Sequence, residues 1–226
     1  MAGGLGTRLR PLTYSIPKPL LPVGEKPILE IIIGKLKSQK IHEIFLTTGY
    51  RSELIKTYFG NGSKLGVKIT YISEDKPLGT AGSLGFLKKK INPKEPFLVM
   101  NGDILTKLNF IKMRNFHVAQ KATMTIGTMQ HKHQLPFGIL KITDHTVTSI
   151  TEKPKFSYDI SAGIYILHPE ALSFIVPNKY YTMPDLATLL IQKNYKVACY
   201  PIKEYWIAVE QIDQFNEAMM MKKKWM

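Results

Sequence analysis

Met1-Ala-Gly-Gly-Leu-Gly-Thr-Arg8-Leu-Arg10 opens the chain, and Lys18-Pro-Leu-Leu-Pro22 follows a few residues later. The glycines at positions 3, 4 and 6 can take positive φ and bring backbone N–H groups close to anionic oxygens. Arg8, Arg10 and Lys18 can neutralise the charge of those oxygens. The alternative is a glycine turn beside a solvated basic patch. Because the cations accompany the glycines, the stretch predicts a loop that holds a triphosphate.

The composition is that of a folded protein with anionic partners. The 226 residues are enough for one sizeable core, and a hydrophobic fraction of 44% argues against disorder. The formal net charge of +14 suits nucleic acid, nucleotides or sugar phosphates. Short basic runs occur only at 88–90 and 222–224, and a solvated helix face or tail explains them better than a nucleic-acid groove does.

The single cysteine and the short apolar runs indicate the cellular compartment in which we expect the protein. Cys199 cannot form an internal disulfide, which fits a reducing cytosol, and its apolar neighbours predict a buried structural thiol. No apolar run approaches the roughly 20 residues that span a bilayer, and no signal peptide is visible. We therefore expect a cytoplasmic protein that binds neither membrane nor nucleic acid, with a homo-oligomer as one option.

Alternating helix and strand patterns in the first half predict a doubly wound, mostly parallel, Rossmann-like α/β sheet. Helical patterns cover 27–39, 52–59 and 80–89, and apolar strand patterns cover 43–49, 67–73 and 97–103. The second half has short strand patterns in succession from 122 to 167, before helices over 181–193 and 212–224. That half predicts a small mixed or antiparallel extension of the sheet.

Asp103 directly follows the buried strand pattern at 97–103. Ligands bind at the carboxyl ends of the strands in open α/β sheets. A carboxylate there, close to a phosphate loop, suits Mg²⁺, which is usually shared between carboxylates and substrate phosphates. Asn-Gly-Asp taken alone also reads as a turn that Asp103 caps, and both interpretations stay open on this motif alone.

Short motifs along nearly the whole chain occur in the order of one enzyme family. They are Ala2 to Thr13 with Lys18 to Val23, Pro-Leu-Gly-Thr-Ala-Gly at 77–82, Asn-Gly-Asp at 101–103, Glu-Lys-Pro at 152–154, Ala-Gly-Ile-Tyr at 162–165 and Tyr-Trp-Ile at 205–207. With these motifs the chain resembles the sugar-phosphate nucleotidyltransferases, or NDP-sugar pyrophosphorylases. It looks most like bacterial members that occur alone or behind a pair of CBS domains. The resemblance implies the nucleotide-diphospho-sugar transferase fold in one domain, with a nucleotide-binding half over 1–110 and a sugar-phosphate-binding half over 111–226.

The resemblance also implies a reaction: a sugar 1-phosphate and a nucleoside triphosphate give a nucleotide sugar and pyrophosphate, as in bacterial surface polysaccharide synthesis. Arg8 would steady the β- and γ-phosphates, Lys18 would bridge the α-phosphate and the incoming phosphate, and Asp103 would hold Mg²⁺. The implied nucleotide-binding residues are Ala2, Gly3, Gly4, Gly6, Thr7, Glu74, Gly79 and Thr80. The implied sugar-phosphate-binding residues are Gly138, Glu152, Lys153, Ala162 and Gly163. For each lysine, a solvated surface residue is the alternative.

Glu74 bears on the choice of base. It stands where relatives that use thymidine or uridine nucleotides carry glutamine, whose amide matches the edge of uracil or thymine. A carboxylate only accepts, and guanine offers it two adjacent donors, N1–H and the N2 amino group. We therefore expect GTP, with CTP second because its N4 amino group can still donate. The alternative is that Glu74 points to solvent at a strand end.

Two departures from the family pattern set the rival hypothesis. The family usually reads Trp-x-Asp-x-Gly near the C-terminus, and that aspartate is its second metal carboxylate; here Ala208 takes its place in Trp206-Ile-Ala-Val-Glu210. We expect weakened Mg²⁺ binding, with Glu210 as a less favoured substitute ligand, or a degenerate member that senses nucleotide without turning it over. Ser161, where close relatives tend to carry asparagine, leaves the sugar contact open.

The second departure is at the front of the chain. In relatives a hydrophobic strand of about half a dozen residues feeds the glycine loop and is central in the sheet. Here only Met1 precedes Ala2. A chain that begins upstream, a catalytic part of a longer protein and a sheet without its central strand are the alternatives, the last of which would expose unpaired backbone groups.

Overall fold

Residues 1–74, 76–221 and 223 are described in a computed structural model of the chain. The first half contains β1 (Pro22–Val23), β2 (Lys26–Pro27), α1 (Ile28–Ser38), β3 (Glu43–Thr48), α2 (Ser52–Phe59), β4 (Lys68–Ser73), α3 (Gly79–Gly82), β5 (Phe97–Met100), β6 (Ile104–Thr106) and α4 (Phe110–Ala119). The second half contains β7 (Met124–Gln134), β8 (Ile139–Thr143), β9 (Thr146–Thr151), β10 (Lys155–Leu167), α5 (Met183–Gln192), β11 (Val197–Pro201), β12 (Trp206–Ala208) and α6 (Ile212–Met220).

The strands form mixed sheets, and the predicted α/β class is confirmed. The largest sheet has the order β11-β7-β10-β5, in which β11 and β7 are parallel and the other neighbours antiparallel. Strands β3 and β4 form a separate parallel pair, and β12 pairs antiparallel with β6. The predicted extension is the hairpin β8–β9 together with the long strands β7 and β10.

Backbone hydrogen bonds of the first two residues connect the β3–β4 pair to the largest sheet. The amino nitrogen of Met1 donates to the Met100 carbonyl at 2.8 Å, and the Gly102 N–H donates to the Met1 carbonyl at 2.7 Å. On the other side, the Ala2 N–H donates to the Thr47 carbonyl at 2.9 Å. Among the described residues no strand lies between β3 and β5, and the backbone of this short stretch is hydrogen-bonded to both sheets.

Helix α1 packs on both sides of that junction. Ile28, Ile32 and Leu36 recur at helical spacing and are buried in the cluster that contains β6 and part of β10. Leu29 and Ile33 are buried in a second cluster with β3 and α2. The helix therefore packs against both clusters, and its bounds agree with the predicted span of 27–39 to within one residue at each end.

Three sequence expectations differ from the structure. The helix expected over 80–89 is a short α3 followed by a 3₁₀ turn at Ser83–Leu87, because its glycines favour the tighter turn over a continuous helix. Cys199 is exposed rather than buried, since β11 is an edge strand of its sheet. The terminal helix ends at Met220, short of the expected 224, and positions 222 and 224 of the expected span lie outside the described residues.

Residues 131–160 form a largely exposed extension, which we call the arm. It consists of the outer parts of β7 and β10 with the hairpin β8–β9 at its end. The same two long strands are buried at their other ends, where Met124 and Leu167 are register partners in the core. One pair of strands thus runs from the core out to solvent.

Candidate functional site

A cleft of about 510 Å³ lies at the carboxyl ends of β3, β4 and β5, where ligands bind in open α/β sheets. Met1 to Arg8 of the glycine loop form one side of it. Every residue predicted from the sequence to be catalytic or nucleotide-binding lines this cleft: Ala2, Gly3, Gly4, Gly6, Thr7, Arg8, Lys18, Glu74, Gly79, Thr80 and Asp103. We call the loop 1–10 together with Lys18, Glu74 and Asp103 the cleft wall.

The glycine loop is tight where it packs and open where it faces the cleft. Gly6 has φ +64°, and the Thr13 hydroxyl donates to its carbonyl at 2.7 Å. A Cβ on Gly3 would lie 3.2 Å from the Gly49 nitrogen, whereas a Cβ on Gly4 would meet no heavy atom within 4 Å. The backbone at Gly4 is therefore accessible to a ligand, and the loop geometry suits phosphate oxygens.

Lys18 and Asp103 form an ion pair in the cleft. Lys18 begins a 3₁₀ turn between two prolines, and its Nζ donates to Asp103 Oδ2. The two side chains are 19% and 11% exposed. The other oxygen of Asp103, Oδ1, is buried without a hydrogen-bond partner among the described residues. An unpaired buried carboxylate oxygen is costly unless a further group satisfies it, so Asp103 is suited to hold a cation.

Arg8 and Glu210 form a second ion pair in the same cleft, between the Arg8 guanidinium and Glu210 Oε2. These side chains are 64% and 37% exposed. The Val209 N–H donates to the Asp103 carbonyl at 2.9 Å, and Glu210 and Asp103 both line the cleft. Both cations predicted to bind phosphate thus have an acidic partner in the structure.

The Glu74 carboxylate is directed by the backbone rather than left in solvent. The Leu78 N–H donates to Glu74 Oε2 at 3.1 Å, and Glu74 lines the cleft. The second oxygen of Glu74 can accept from a ligand.

Gly79 and Thr80 join the cleft to the segment before α5. Gly79 has φ +74°, and a Cβ there would lie 2.4 Å from the Tyr181 carbonyl oxygen. The Thr80 hydroxyl accepts from the Met183 N–H at 2.8 Å. Thr182 caps α5 in a reciprocal pair with Asp185. Gly79 is therefore required by close packing, and the Thr80 hydroxyl is already engaged with the protein.

The residues predicted to bind the sugar phosphate do not line the cleft. Gly138, Glu152 and Lys153 lie in the exposed arm, where Lys153 Nζ and Glu152 Oε1 are 3.9 Å apart. A Cβ on Gly138 would lie 2.9 Å from Glu152 Oε2, so the two residues are neighbours across the hairpin.

Ala162 and Gly163 are buried behind the cleft rather than exposed in it. Gly163 has φ +67°, and a Cβ there would lie 2.7 Å from the amide nitrogen of Asn101, which does line the cleft. The Trp206 ring N–H donates to the Ala162 carbonyl at 2.9 Å. These two residues support the site through Asn101 and Trp206.

The cleft also contains residues that the sequence reasoning did not assign. Asn101 and Gly102 belong to the Asn-Gly-Asp motif, which gave a signal only for its aspartate. Further lining residues are Leu5, Pro19, Thr47, Pro77, Tyr180 and Thr182. The helix predicted over 181–193 placed a helix start near Thr182, but nothing local indicates that this start lies at the same cleft as the glycine loop.

The acidic groups fit a shared rather than a fully protein-bound metal. No group of three or more His, Cys, Asp or Glu residues suited to a metal is found within 1–74, 76–221 and 223. Asp103 offers a buried free oxygen, which fits an ion that takes its remaining ligands from water and phosphates. Ala208 pairs with Ile104, next to Asp103, and contributes no oxygen from its side chain.

Comparisons with known proteins agree with this geometry. The family described as nucleotidyl transferase matches residues 1–224. The catalytic subunit beta of mannose-1-phosphate guanylyltransferase from Dictyostelium discoideum is 31% identical over 97% of this chain and 62% of its own length. D-glycero-alpha-D-manno-heptose 1-phosphate guanylyltransferase from Aneurinibacillus thermoaerophilus is 36% identical over 74% of this chain and 72% of its own length.

A solved structure of HddC from Yersinia pseudotuberculosis has a TM-score of 0.76 and 26% identity, covering 98% of this chain and 96% of that chain. A second structure of HddC, in complex with GMP-PN, has a TM-score of 0.73 and 25% identity, over the same shares of the two chains. The chain spans between 50% and 62% of the length of several mannose-1-phosphate guanylyltransferases that it matches. No described helix is both long and apolar enough to cross a membrane. On the family match over nearly its whole length, the chain belongs to the nucleotidyl transferase family.

Proposed function

We propose that the protein transfers a guanylyl group from GTP to a sugar 1-phosphate, giving a GDP-sugar and pyrophosphate. The observation that carries this proposal is the cleft wall, in which an open glycine loop, Lys18, Asp103 and Glu74 line one cavity. Relatives named as mannose-1-phosphate and heptose 1-phosphate guanylyltransferases support the same class of reaction.

The chemistry asks the protein chiefly to position reactants and to neutralise charge. An oxygen of the sugar phosphate attacks the α-phosphorus of GTP, and the bond from that phosphorus to the pyrophosphate oxygen breaks. The backbone of Gly3 and Gly4 binds phosphate oxygens, and Lys18 steadies both the α-phosphate and the incoming phosphate. Arg8 holds the β- and γ-phosphates as pyrophosphate leaves. Groups fixed in advance where charge accumulates supply most of such catalysis.

Asp103 is the residue that would hold the divalent metal that nucleotidyltransferases of this family generally use. We propose Mg²⁺, because the free oxygen of Asp103 is a hard carboxylate donor beside a phosphate loop. When bound there, Mg²⁺ supplies charge neutralisation to the phosphate oxygens. Lys18 keeps the second oxygen of Asp103 in place, so the carboxylate is oriented before the metal arrives.

Glu74 supports guanine as the base. Its Oε2 is held by the Leu78 N–H, which fixes the carboxylate plane at the cleft. A fixed acceptor-only group pairs well with the adjacent N1–H and N2 donors of guanine and poorly with a ring-nitrogen acceptor. The solved neighbour in complex with GMP-PN is consistent with a nucleotide of this kind.

The arm is proposed to bind the sugar phosphate. Lys153 supplies a cation for the phosphate, Glu152 accepts from sugar hydroxyls, and Gly138 lets the ring approach the backbone. Ala162 and Gly163 contribute indirectly, by holding Trp206 and Asn101 in position. Since these groups are not gathered at the cleft in the ligand-free structure, we propose that the sugar phosphate is held across the space between arm and cleft.

Release of pyrophosphate tests the proposal. The four ribonucleoside triphosphates and dTTP are each combined with mannose 1-phosphate, heptose 1-phosphate or glucose 1-phosphate in the presence of Mg²⁺. We expect release with GTP and at least one of these sugars, and loss of it in Asp103→Asn. Glu43→Gln is the matched control, because Glu43 pairs with Lys68 on the exposed surface at 3.0 Å. Release with a pyrimidine triphosphate but not with GTP contradicts the choice of base.

Ala208 favours a second candidate, a protein of the same fold that senses nucleotide with little turnover. Ala208 lies opposite Ile104 in the β6–β12 pair, directly beside the metal-suited Asp103. Nucleotide binding without pyrophosphate release from any pair would support the sensor. In Ala208→Asp we expect turnover to rise and the Mg²⁺ concentration for half-maximal rate to fall. No change in either quantity removes Ala208 as a cause of weak activity.

A further inference from the structure

We propose that Glu210 controls access of the nucleotide to Arg8, by pairing with the guanidinium and competing with the triphosphate for it. This inference rests on the proposed function, because Arg8 matters only if the cleft binds a nucleotide phosphate chain. Arg8 and Glu210 both line the cleft and are paired there. Glu210 is therefore an affinity-setting residue that acts through Arg8.

Glu210 has a fixed backbone, unlike an ordinary surface carboxylate. The N–H groups of Glu210 and Gln211 both donate to Gln214 Oε1, at 3.0 and 2.8 Å. One residue earlier, the Val209 N–H donates to the Asp103 carbonyl. The backbone at 209–211 is thus bound to the turn between β5 and β6 that contains Asp103, and to the start of α6. The Glu210 side chain therefore extends from a fixed backbone position into the cleft.

Arg8 is similarly constrained at its backbone. It lies in a 3₁₀ turn directly after Gly6, whose carbonyl accepts from the Thr13 hydroxyl. The guanidinium remains 64% exposed, so it can exchange partners without disturbing the core. Two fixed backbones with exchangeable side chains form a contact that a stronger anion can break.

The charges in the cleft show why such competition has an effect. Arg8 and Lys18 are the side-chain cations among the lining residues, and each is paired with a carboxylate. A triphosphate carries several negative charges and competes with Glu210 for the Arg8 guanidinium. Glu210 also repels the incoming phosphates while it remains beside Arg8. Removing its charge without changing its shape should strengthen nucleotide binding.

The test of this role of Glu210 is the binding of GTP to the variant Glu210→Gln. Binding is measured by calorimetry with a chelator present, so that no metal contributes. An exposed ion pair contributes little, so we expect the dissociation constant to fall by about fivefold. Glu210→Asp, which keeps the charge, should bind GTP more nearly like the wild type. Glu43→Gln, which removes an equivalent exposed carboxylate outside the cleft, should leave the dissociation constant unchanged.

The same substitution in an Arg8→Gln background separates a direct pair from general repulsion. If Glu210 acts through Arg8, the fivefold gain should be absent when Arg8 is already neutral. A gain of full size in that background overturns the proposal, as does equal or weaker GTP binding by the single variant Glu210→Gln. If the wild type and Glu210→Gln bind GTP with the same dissociation constant, the role of Glu210 is overturned and the proposed function is not. Absence of GTP binding by both the wild type and the variant, in the chelator and again with Mg²⁺ present, overturns the role of Glu210 and the proposed function together.

Discussion

The cleft wall and the arm hold their charges in different ways. In the wall, Lys18 and Asp103 are paired with side chains 19% and 11% exposed. In the arm, Lys153 and Glu152 are 3.9 Å apart with side chains 59% and 69% exposed. Exposed pairs contribute little because water and salt screen them, whereas a desolvated pair fixes the positions of both groups. The wall is therefore organised before a ligand binds, and the arm is not.

The two regions are connected through β7 and β10. At the root of these strands the side chains are buried, and Thr125 lies 2.8 Å from the imidazole Nδ1 of His117 on α4. Beyond Gln130 the β7 side chains are exposed. The arm is thus a pair of strands anchored in the core at one end, which we call the root and which includes Thr125 and its neighbour His117. One substitution in each of the cleft wall, the root and the arm tests whether the three regions behave differently.

The largest expected effect is in the wall. Asp103→Asn keeps the shape of the side chain but removes the charge that pairs with Lys18 and that we propose holds the metal. We expect turnover to fall by about a hundredfold to a thousandfold, the usual loss when a fixed electrostatic group is removed. Steady-state pyrophosphate release measures it. A variant with near wild-type rate and unchanged metal dependence would show that the wall is not organised around Asp103.

The next effect is at the root. Burial lowers the pKa of His117 to about 4, with the nearby His168 and Arg114 acting in the same direction. Below the ordinary histidine pKa of about 6.5 the unfolded chain binds a proton that the folded chain does not, so stability falls as the pH falls. Between about pH 6.5 and pH 4 the loss is on the order of 3 kcal/mol.

Urea unfolding of the wild type and of His117→Asn across this pH range measures that loss. The asparagine can still bond with Thr125 but does not titrate. We expect the free energy of unfolding of the wild type to decline more steeply with acid than that of the variant. Parallel curves would show that the root is open to water in the way that the arm is.

The smallest effect is in the arm. In Lys153→Ala we expect the KM for the sugar phosphate to rise by about tenfold, the value of one well-placed charge. The dissociation constant of GTP should stay unchanged, because Lys153 does not line the cleft. Stability should change by less than about 0.5 kcal/mol, since the pair with Glu152 is exposed. A parallel loss of GTP affinity would place Lys153 in the nucleotide site and end the distinction between the two regions.

The cleft wall was predictable because short motifs encode it. Glycines, prolines and the Asn-Gly-Asp turn have local conformational meaning, which predicted the loop, and the family resemblance of these motifs implied the roles of Lys18 and Asp103. The helices α1, α2 and α5 were predicted to within a few residues for the same reason, from apolar spacing and capping.

The remaining features depend on contacts that no local pattern shows. The Arg8–Glu210 pair joins residues that are 202 positions apart in sequence. The exposure of Cys199 follows from the position of β11 at a sheet edge, which is a property of strand order. The arm's separation from the cleft depends on the lengths of β7 and β10, and strand ends are poorly marked in sequence.

The preference among triphosphates tests the central claim, that the cleft wall is a guanine nucleotide site, most directly. The measurement is the ratio of kcat/KM for GTP to that for dTTP in pyrophosphate release, for the wild type and for Glu74→Gln. A site built around fixed hydrogen-bonding groups rejects a mismatched partner strongly, so we predict a ratio above about a hundred in the wild type. It should drop sharply in the glutamine variant. A wild type that prefers dTTP, or a ratio that the substitution does not change, would contradict the account.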